Sequence, residues 1–432
     1  MTGADTTGNA THETHATPAA SGAPGPGGTP GRSGAPLRVG LVGYGLAGSV
    51  FHAPLIAATD GLVLDTIVTS NEERRAQARA EFPGIRFAAS PQELWERTDG
   101  PDAPDPNNPL DPLDPLDPLD LIVIASPNKT HVPIATAALE AGLPVVVDKP
   151  VAGTAAEARA LAALAEERGL LLSVFQNRRW DNDFLTLARL IADGALGDVQ
   201  RFESRFERWR PQPKGGWRES GDPQEIGGLL YDLGSHVVDQ ALTLFGPAAL
   251  VYAESDVRRP GAAADDDTFI AITHVNGVRS HLYVSATTAQ LGPRFRVLGR
   301  SAGYVKYGLD PQEADLRAGL RPAADRPWGE EPEALWGRIG SGESPPTGGG
   351  TPVRSLPGDY PAYYASVAAA LRGTGENPVT ALQAAAALDV LEAARRSARE
   401  GVTVKLPATT APSATDSDSD SADFPDTEEQ PV

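Results

Sequence analysis

The sequence predicts an α/β domain followed by an α+β domain: an N-terminal doubly wound parallel sheet and a C-terminal domain built on a largely antiparallel open sheet. Three observations carry this. Between Leu37 and Gln176 short β-rich runs alternate with helical stretches, the order required by a parallel sheet covered on both faces. The glycine turn Gly43-Tyr44-Gly45-Leu46-Ala47-Gly48 joins the first apolar run to the first helical stretch. After Asn177 period-2 alternation recurs over several neighbouring runs, as in an antiparallel sheet polar on one face.

Strands are expected in the first domain at residues 38–42, 62–68, 85–88, 121–125, 144–147 and 171–175, with helices at 50–58, 72–82, 91–97, 131–141 and 154–168. Six strands complete a nucleotide-binding unit of the Rossmann type over residues 37–177. In the second domain, residues 178–406, a helix over 183–193 precedes alternating runs at 199–208, 249–256, 268–274 and 279–286. A Gly/Pro-rich loop is expected near 341–352, and 360–372 and 380–399 read as two closing helices.

Composition narrows the function classes. A hydrophobic content of 41% over 432 residues suits roughly two to three packed domains, and no span of about 18 apolar residues reads as a membrane helix. Residues 1–36 lack the basic start and apolar centre of a secretion signal and read as a disordered tail. With no cysteine, disulfides and thiol catalysis are excluded, and a cytoplasmic location is the expectation. The net charge of −20 speaks against a nucleic-acid surface, but much of it lies in an acidic tail at 407–432 and in a low-complexity insertion at 99–120. That insertion repeats Asp-Pro-Leu at Asp111, Asp114 and Asp117, and its prolines forbid a helix. The charge therefore says little about the substrate.

The glycine turn marks where a pyrophosphate would sit. Gly43 permits the tight turn, Gly45 lets backbone approach the phosphates, and Gly48 lets the next helix pack on its strand, while the helix N-terminus offers N–H groups to the anion. Strand two ends in Thr69-Ser70-Asn71 with Arg74 following, and Asp65 falls too early to reach a ribose hydroxyl. Hydroxyls with an arginine suit a 2'-phosphate, so NADP(H) is favoured over NAD(H), against the alternative that Arg74 is a solvated helix residue. Leu46 and Ala47 of the turn, with Ser126, Pro127, Asn128 and His131 after strand four, complete the expected cofactor contacts.

Lys149 follows strand five at the cofactor end of the sheet, where its ammonium would stabilise a developing alkoxide; the alternative is a local pair with Asp148. Asp232 and His236 stand at i and i+4 of an expected helix, so the carboxylate would orient the imidazole as a general base. A structural pair is the other reading. No third ligand stands at metal spacing, and no metal is expected.

In order, these segments resemble the glucose-fructose oxidoreductase, inositol dehydrogenase and MocA family (Gfo/Idh/MocA), within it the branch similar to NADP-dependent scyllo-inositol dehydrogenase. The resemblance rests on Gly43-Tyr44-Gly45 with Phe51-His52-Ala53-Pro54, Pro127-Asn128 with Thr130-His131, and Val147-Asp148-Lys149-Pro150. It continues through Asn177-Arg178-Arg179-Trp180-Asp181, Tyr231-Asp232 with His236, Tyr304 to Glu313, and Pro361 to Tyr364. It implies that Lys149 belongs to a Lys-Pro motif, that Asp232 and His236 hold catalytic positions, and that Asn128 lies near the cofactor. Arg178, Arg179 and Arg208, with Trp180 and Trp209, are read either as lining a substrate cleft or as framework. The implied activity is NADP-dependent hydride transfer between nicotinamide and a secondary alcohol or ketone of a cyclitol or sugar. The competing readings are reduction of another carbonyl or imine, and a non-catalytic cofactor sensor. A polyol or sugar substrate is expected as partner, with neither nucleic acid nor membrane, and a homo-oligomer, dimer or tetramer.

Overall fold

The protein was analysed as a computed structural model that describes residues 34–95, 118–216, 219–222, 225–323, 326–342 and 349–407. Most of the two expected tails and of the Asp-Pro-Leu insertion lies outside the described residues.

The first domain is a six-stranded parallel sheet of β1 (Leu37–Val42), β2 (Leu62–Val68), β3 (Arg86–Ala88), β4 (Leu121–Ile124), β5 (Val145–Asp148) and β6 (Leu172–Phe175), in the order β3-β2-β1-β4-β5-β6. The apolar runs are continuous rather than alternating because helices α1 (Ala53–Ala57), α3 (His131–Glu140) and α4 (Ala155–Glu167) pack on this sheet, with α2 (Glu72–Glu81) following β2, and β4 is buried along its whole length. Chain order reverses between β1 and β4, and the crevice beyond their carboxyl ends is where such sheets bind ligands. The helical start after the glycine turn is earlier than expected: Ala47–His52 forms a π-helical turn that runs into α1. At 91–97 only the 3-10 turn Gln92–Leu94 forms, and residues 96 and 97 lie outside the described residues.

The second domain begins with α5 (Asn182–Ala192) and carries a nine-stranded sheet. Its strands are β7 (Val199–Glu207), β8 (Ala248–Asp256), β9 (Asp267–His274), β10 (Arg279–Ser285), β11 (Phe295–Gly299), β12 (Gly303–Lys306), β13 (Gly337–Gly340), β14 (Thr351–Val353) and β15 (Val404–Lys405). Pairing is antiparallel throughout except between β7 and β10, which run parallel, so the sheet is mixed. On one face lie α6 (Leu229–Asp232) and α7 (Gly234–Phe245), and α8 (Gln312–Arg317) follows β12. The edge strand β14 begins inside the stretch expected to be loop.

The closing helices α9 (Tyr360–Leu371) and α10 (Ala381–Glu400) return to the first domain and tie the two together. Capping boxes at Thr154/Glu157 and Thr380/Gln383 start α4 and α10, and Gly401 ends α10 in the left-handed conformation. Across the seam, Glu392 accepts the Ala155 N–H at 2.7 Å, Arg159 pairs with Asp389, and Tyr363 donates to Ser173 in β6 at 2.9 Å. The boundary between the domains is thereby held stiffly, as a site built from both requires.

Candidate active site

At the dinucleotide turn two of the three glycines have a steric reason. Gly43 has φ +99°, and a Cβ there would lie 2.7 Å from the Ala125 carbonyl oxygen; a Cβ on Gly48 would lie 2.1 Å from the Gly43 carbonyl oxygen. Gly45 is different. The nearest atom to its Cβ position is Arg74 Nη1, at 3.9 Å, so the space above it is open towards a ligand and overlooked by a guanidinium. Leu46 is exposed beside the turn and Ala47 half-buried.

After β2, Asn71 caps α2 by accepting the Arg74 N–H at 3.0 Å; Thr69 is buried and Ser70 exposed. Arg75 is committed to framework, donating to the Thr69 carbonyl at 2.8 Å and to Glu72 at 3.0 Å. The Arg74 side chain has no hydrogen bond or ion pair among the described residues. Asp65 sits mid-strand between Arg38, at 2.7 Å, and Arg86, which confirms that it does not reach the crevice.

After β4, Ser126 and Thr130 share a hydroxyl hydrogen bond of 2.6 Å, Pro127 is exposed, and the Asn128 carboxamide donates to the Ile226 carbonyl of the second domain at 3.3 Å. His131 corrects an expectation. Its ring is fully buried, with Nδ1 2.8 Å from the Pro150 carbonyl and Nε2 2.9 Å from that of Ser126, so it links the two loops and does not face the cofactor.

Lys149 crosses to the second domain. Its Nζ donates to the Asp232 carboxylate at 2.9 Å and to the Asp232 carbonyl at 2.6 Å, which engages two of its three N–H donors. The local alternative fails for the ammonium, since Asp148 instead accepts the Lys149 backbone N–H at 2.8 Å. Burial raises the Asp148 carboxyl, but His52, Lys149 and His131 outweigh it and hold the group below the usual range. His52 approaches Asp148 at 3.8 Å and meets the Tyr364 hydroxyl at 2.6 Å, so a buried ring backs the lysine loop. A small recess opens here, lined by Asn128, Asp148, Lys149 and Pro150 from one domain and Ile226, Gly227, Gly228 and Asp232 from the other.

Asp232 and His236 do not share one helix. Helix α6 ends at Asp232, Leu233 (φ −100°) breaks the run, and α7 restarts at Gly234. Asp265 sets the short helix by accepting the Leu230 N–H at 2.6 Å, in the space a Cβ on Gly228 would fill. The Asp232 carboxylate meets Lys149. His236 is 5% exposed, stacks on Phe206 at 6.4 Å, and has a buried Nδ1 without a partner among the described residues. Burial first, then the charges of Lys149, Arg178, Arg294 and Arg208, push the ring well below the usual imidazole range. It is a neutral imidazole in a cationic setting, not one whose charged form a carboxylate stabilises.

Of the residues proposed to face substrate, Arg178 is buried with Asp181 at 3.3 Å and with Glu313, and Trp180 packs edge-on against Tyr363 at 5.4 Å. Arg179 is held by both oxygens of Asp239, at 2.8 and 2.7 Å, and Trp209 is exposed. These pairings make Arg178, Arg179 and Trp180 framework. The sequence marked His52 and Tyr364 only as parts of the resemblance and gave no signal for Asp265, since their roles depend on partners distant in the chain. Sequence reasoning also passed over Ile226, whose φ of +52° is costly for a β-branched residue and brings its carbonyl to Asn128. The pair Gly227-Gly228 was the available signal for that loop.

Comparison with known proteins identifies the family. The model of the oxidoreductase family's NAD-binding Rossmann fold matches residues 37–176, and that of the family's C-terminal alpha/beta domain matches residues 188–406. The chain is 43% identical over 372 residues to the uncharacterized oxidoreductase YdgJ of Escherichia coli, covering 86% of this chain and 99% of that protein. It is 34% identical over 374 residues to the scyllo-inositol 2-dehydrogenase (NADP(+)) IolW of Bacillus subtilis, covering 86% and 96%. A solved oxidoreductase structure from Yersinia pestis superposes with TM-score 0.75 at 40% identity, covering 87% and 99%. Among the described residues no helix is long and apolar enough to cross a membrane. With both domain models matched in order around one cross-domain site, the chain belongs to the Gfo/Idh/MocA family of oxidoreductases.

Proposed function

We propose that the protein is an NADP-dependent dehydrogenase acting between a secondary alcohol and the corresponding ketone of a cyclitol or sugar. The observation that carries this reading is the pairing of Lys149 from the nucleotide domain with Asp232 from the sheet domain at one recess, with His236 near enough for the Lys149 charge to act on its ring. The steric emptiness above Gly45 and an Arg74 side chain unpaired among the described residues fit a dinucleotide with a 2'-phosphate. The glycine turn, Thr69, Ser70, Arg74 and the Ser126–Asn128 loop would hold it, and when bound it supplies the hydride donor or acceptor. The likeness to IolW supports the cyclitol class.

The chain's own groups then divide the work. Asp232 fixes the Lys149 ammonium, whose third N–H is left for the substrate oxygen, where it stabilises negative charge as the hydroxyl loses its proton. His236, neutral at physiological pH, accepts that proton; in the reverse direction its protonated form donates to the ketone oxygen. The cations that depress the imidazole also favour the alkoxide, so the two effects act together only when substrate oxygen is present. The test is His236→Ala, assayed with cyclitols, aldoses and keto compounds. Turnover should fall by about 10²–10⁴-fold while NADPH binding survives, and unaltered turnover rejects the assignment.

A further inference from the structure

Three guanidinium groups surround the Phe206 ring that stacks on His236: Arg178 at 4.6 Å, Arg208 at 5.1 Å and Arg294 at 5.6 Å from its centroid. Two of them are neutralised within the protein. Arg178 is held by Asp181 and Glu313, and Arg294 by Asp183 at 3.2 Å with Ser204 and Gln240 at 2.6 and 2.7 Å. Arg208 is not. Its backbone is anchored just beyond β7, the N–H donating to Ser285 at 2.8 Å and the carbonyl accepting from Thr288 at 3.1 Å, yet its side chain has no hydrogen bond or ion pair among the described residues. The carboxylates whose charges act on it, Asp232 and Glu313, are already claimed by Lys149 and by Arg178 with Arg317. Burial, with Arg210 adding to it, pushes the guanidinium down to about 10, so it is still a full cation at neutral pH. A half-buried cation without a counter-charge is unfavourable unless a ligand supplies one.

We infer that Arg208 is a specificity-determining residue that binds an anionic group, a carboxylate or a phosphate ester, on the substrate of the site described above. This rests on reading that site as the hydride-transfer centre. The guanidinium fork matches both groups bidentately, and Arg208, 5.1 Å from the Phe206 centroid, shares that ring with His236, 6.4 Å from it, so an acid held by Arg208 would lie on the same side of the site as the imidazole. A neutral polyol leaves the charge uncompensated; an acidic one completes it.

The experiment titrates the NADP-loaded full chain with neutral D-glucose and myo-inositol, and with D-glucuronate, D-glucose 6-phosphate and inositol 1-phosphate, by calorimetry. At least one acid should bind about 10-fold or more tightly than its neutral counterpart, and Arg208→Met should erase that advantage while the Kd of NADPH and of the neutral probes changes by less than about 2-fold. Arg208→Lys, which keeps charge without the fork, should retain part of it. An advantage confined to glucuronate identifies a carboxylate, and one confined to the esters a phosphate. Equal binding of acids and neutral compounds, no binding of any acid, or equal loss for both in the methionine variant overturns the inference. Hydride transfer is followed separately by absorbance: acids that bind through Arg208 without turnover remove the dehydrogenase reading, whereas turnover of neutral compounds without acid preference removes only the role of Arg208.

Discussion

Replacing Arg74 by alanine isolates the coenzyme assignment. Arg74 is an exposed residue in the first turn of α2, and its guanidinium stands 3.9 Å from the Cβ position of Gly45 with no other side-chain partner among the described residues. A charge-assisted hydrogen bond contributes about 1.5–3 kcal/mol. Solvent exposure and salt screening place this one at the lower end, about 1.5–2 kcal/mol, which is roughly 10–30-fold in Kd for NADPH. NADH has no 2'-phosphate, so its Kd should move by less than about 2-fold. Titrations following nicotinamide fluorescence at low and high salt give both values, and the gap should narrow as salt rises. Arg75→Ala is the control, because that side chain is bound to Thr69 and Glu72 and lies 5.6 Å from the Phe87 ring. It should change stability and move both coenzymes together. Equal weakening of NADPH and NADH in Arg74→Ala, or tighter binding of NADH by the parent protein, refutes the argument from the end of β2.

Lys149→Met removes the ammonium and leaves the Asp232 carboxylate without its cation; turnover should drop by about 10²–10³-fold with little change in NADPH titration, and retention of a tenth of the activity would contradict the alkoxide-stabilising role. Burial and the surrounding cations hold His236 below its ordinary value of 6.5, so on acidification the unfolded chain binds a proton that the native chain does not. That stability is intact above this value and lost below it, roughly 1 kcal/mol between pH 6.5 and 5.5, and His236→Gln should gain by this amount relative to the parent in denaturant unfolding. A pH-independent difference between the two proteins would show that the ring is not a buried neutral base.

The first domain was legible because its signals are local. Continuous apolar runs gave the six strands, and the glycine turn between the first of them and the helical stretch that follows is a local pattern in the sequence. The second sheet was legible only in part. The four alternating runs led to β7 to β10, whereas β12 ends on Lys306, which is buried against Glu331 at 3.0 Å, and β13 is only four residues long with glycine at both ends. A buried lysine reads as polar in any periodicity count, and short glycine-flanked edges carry too little pattern to register. His131 misled for a related reason: its position after β4 suggested the cofactor, but ring orientation depends on where the Pro150 carbonyl lies, nineteen residues on.

By itself the sequence determined the order of elements in the first domain and the place of the dinucleotide turn, and it singled out the residues of the proposed site, since these readings follow from periodicity and from which side chains carry a proton or a charge. The tertiary structure decided the pairing. It set Asp232 against Lys149 and left His236 among cations, and the placing of carboxylates settled that Arg178 and Arg179 are paired while the Arg208 side chain has no such partner among the described residues. Charge compensation is a property of neighbours in space, and those neighbours lie tens to hundreds of residues apart along the chain.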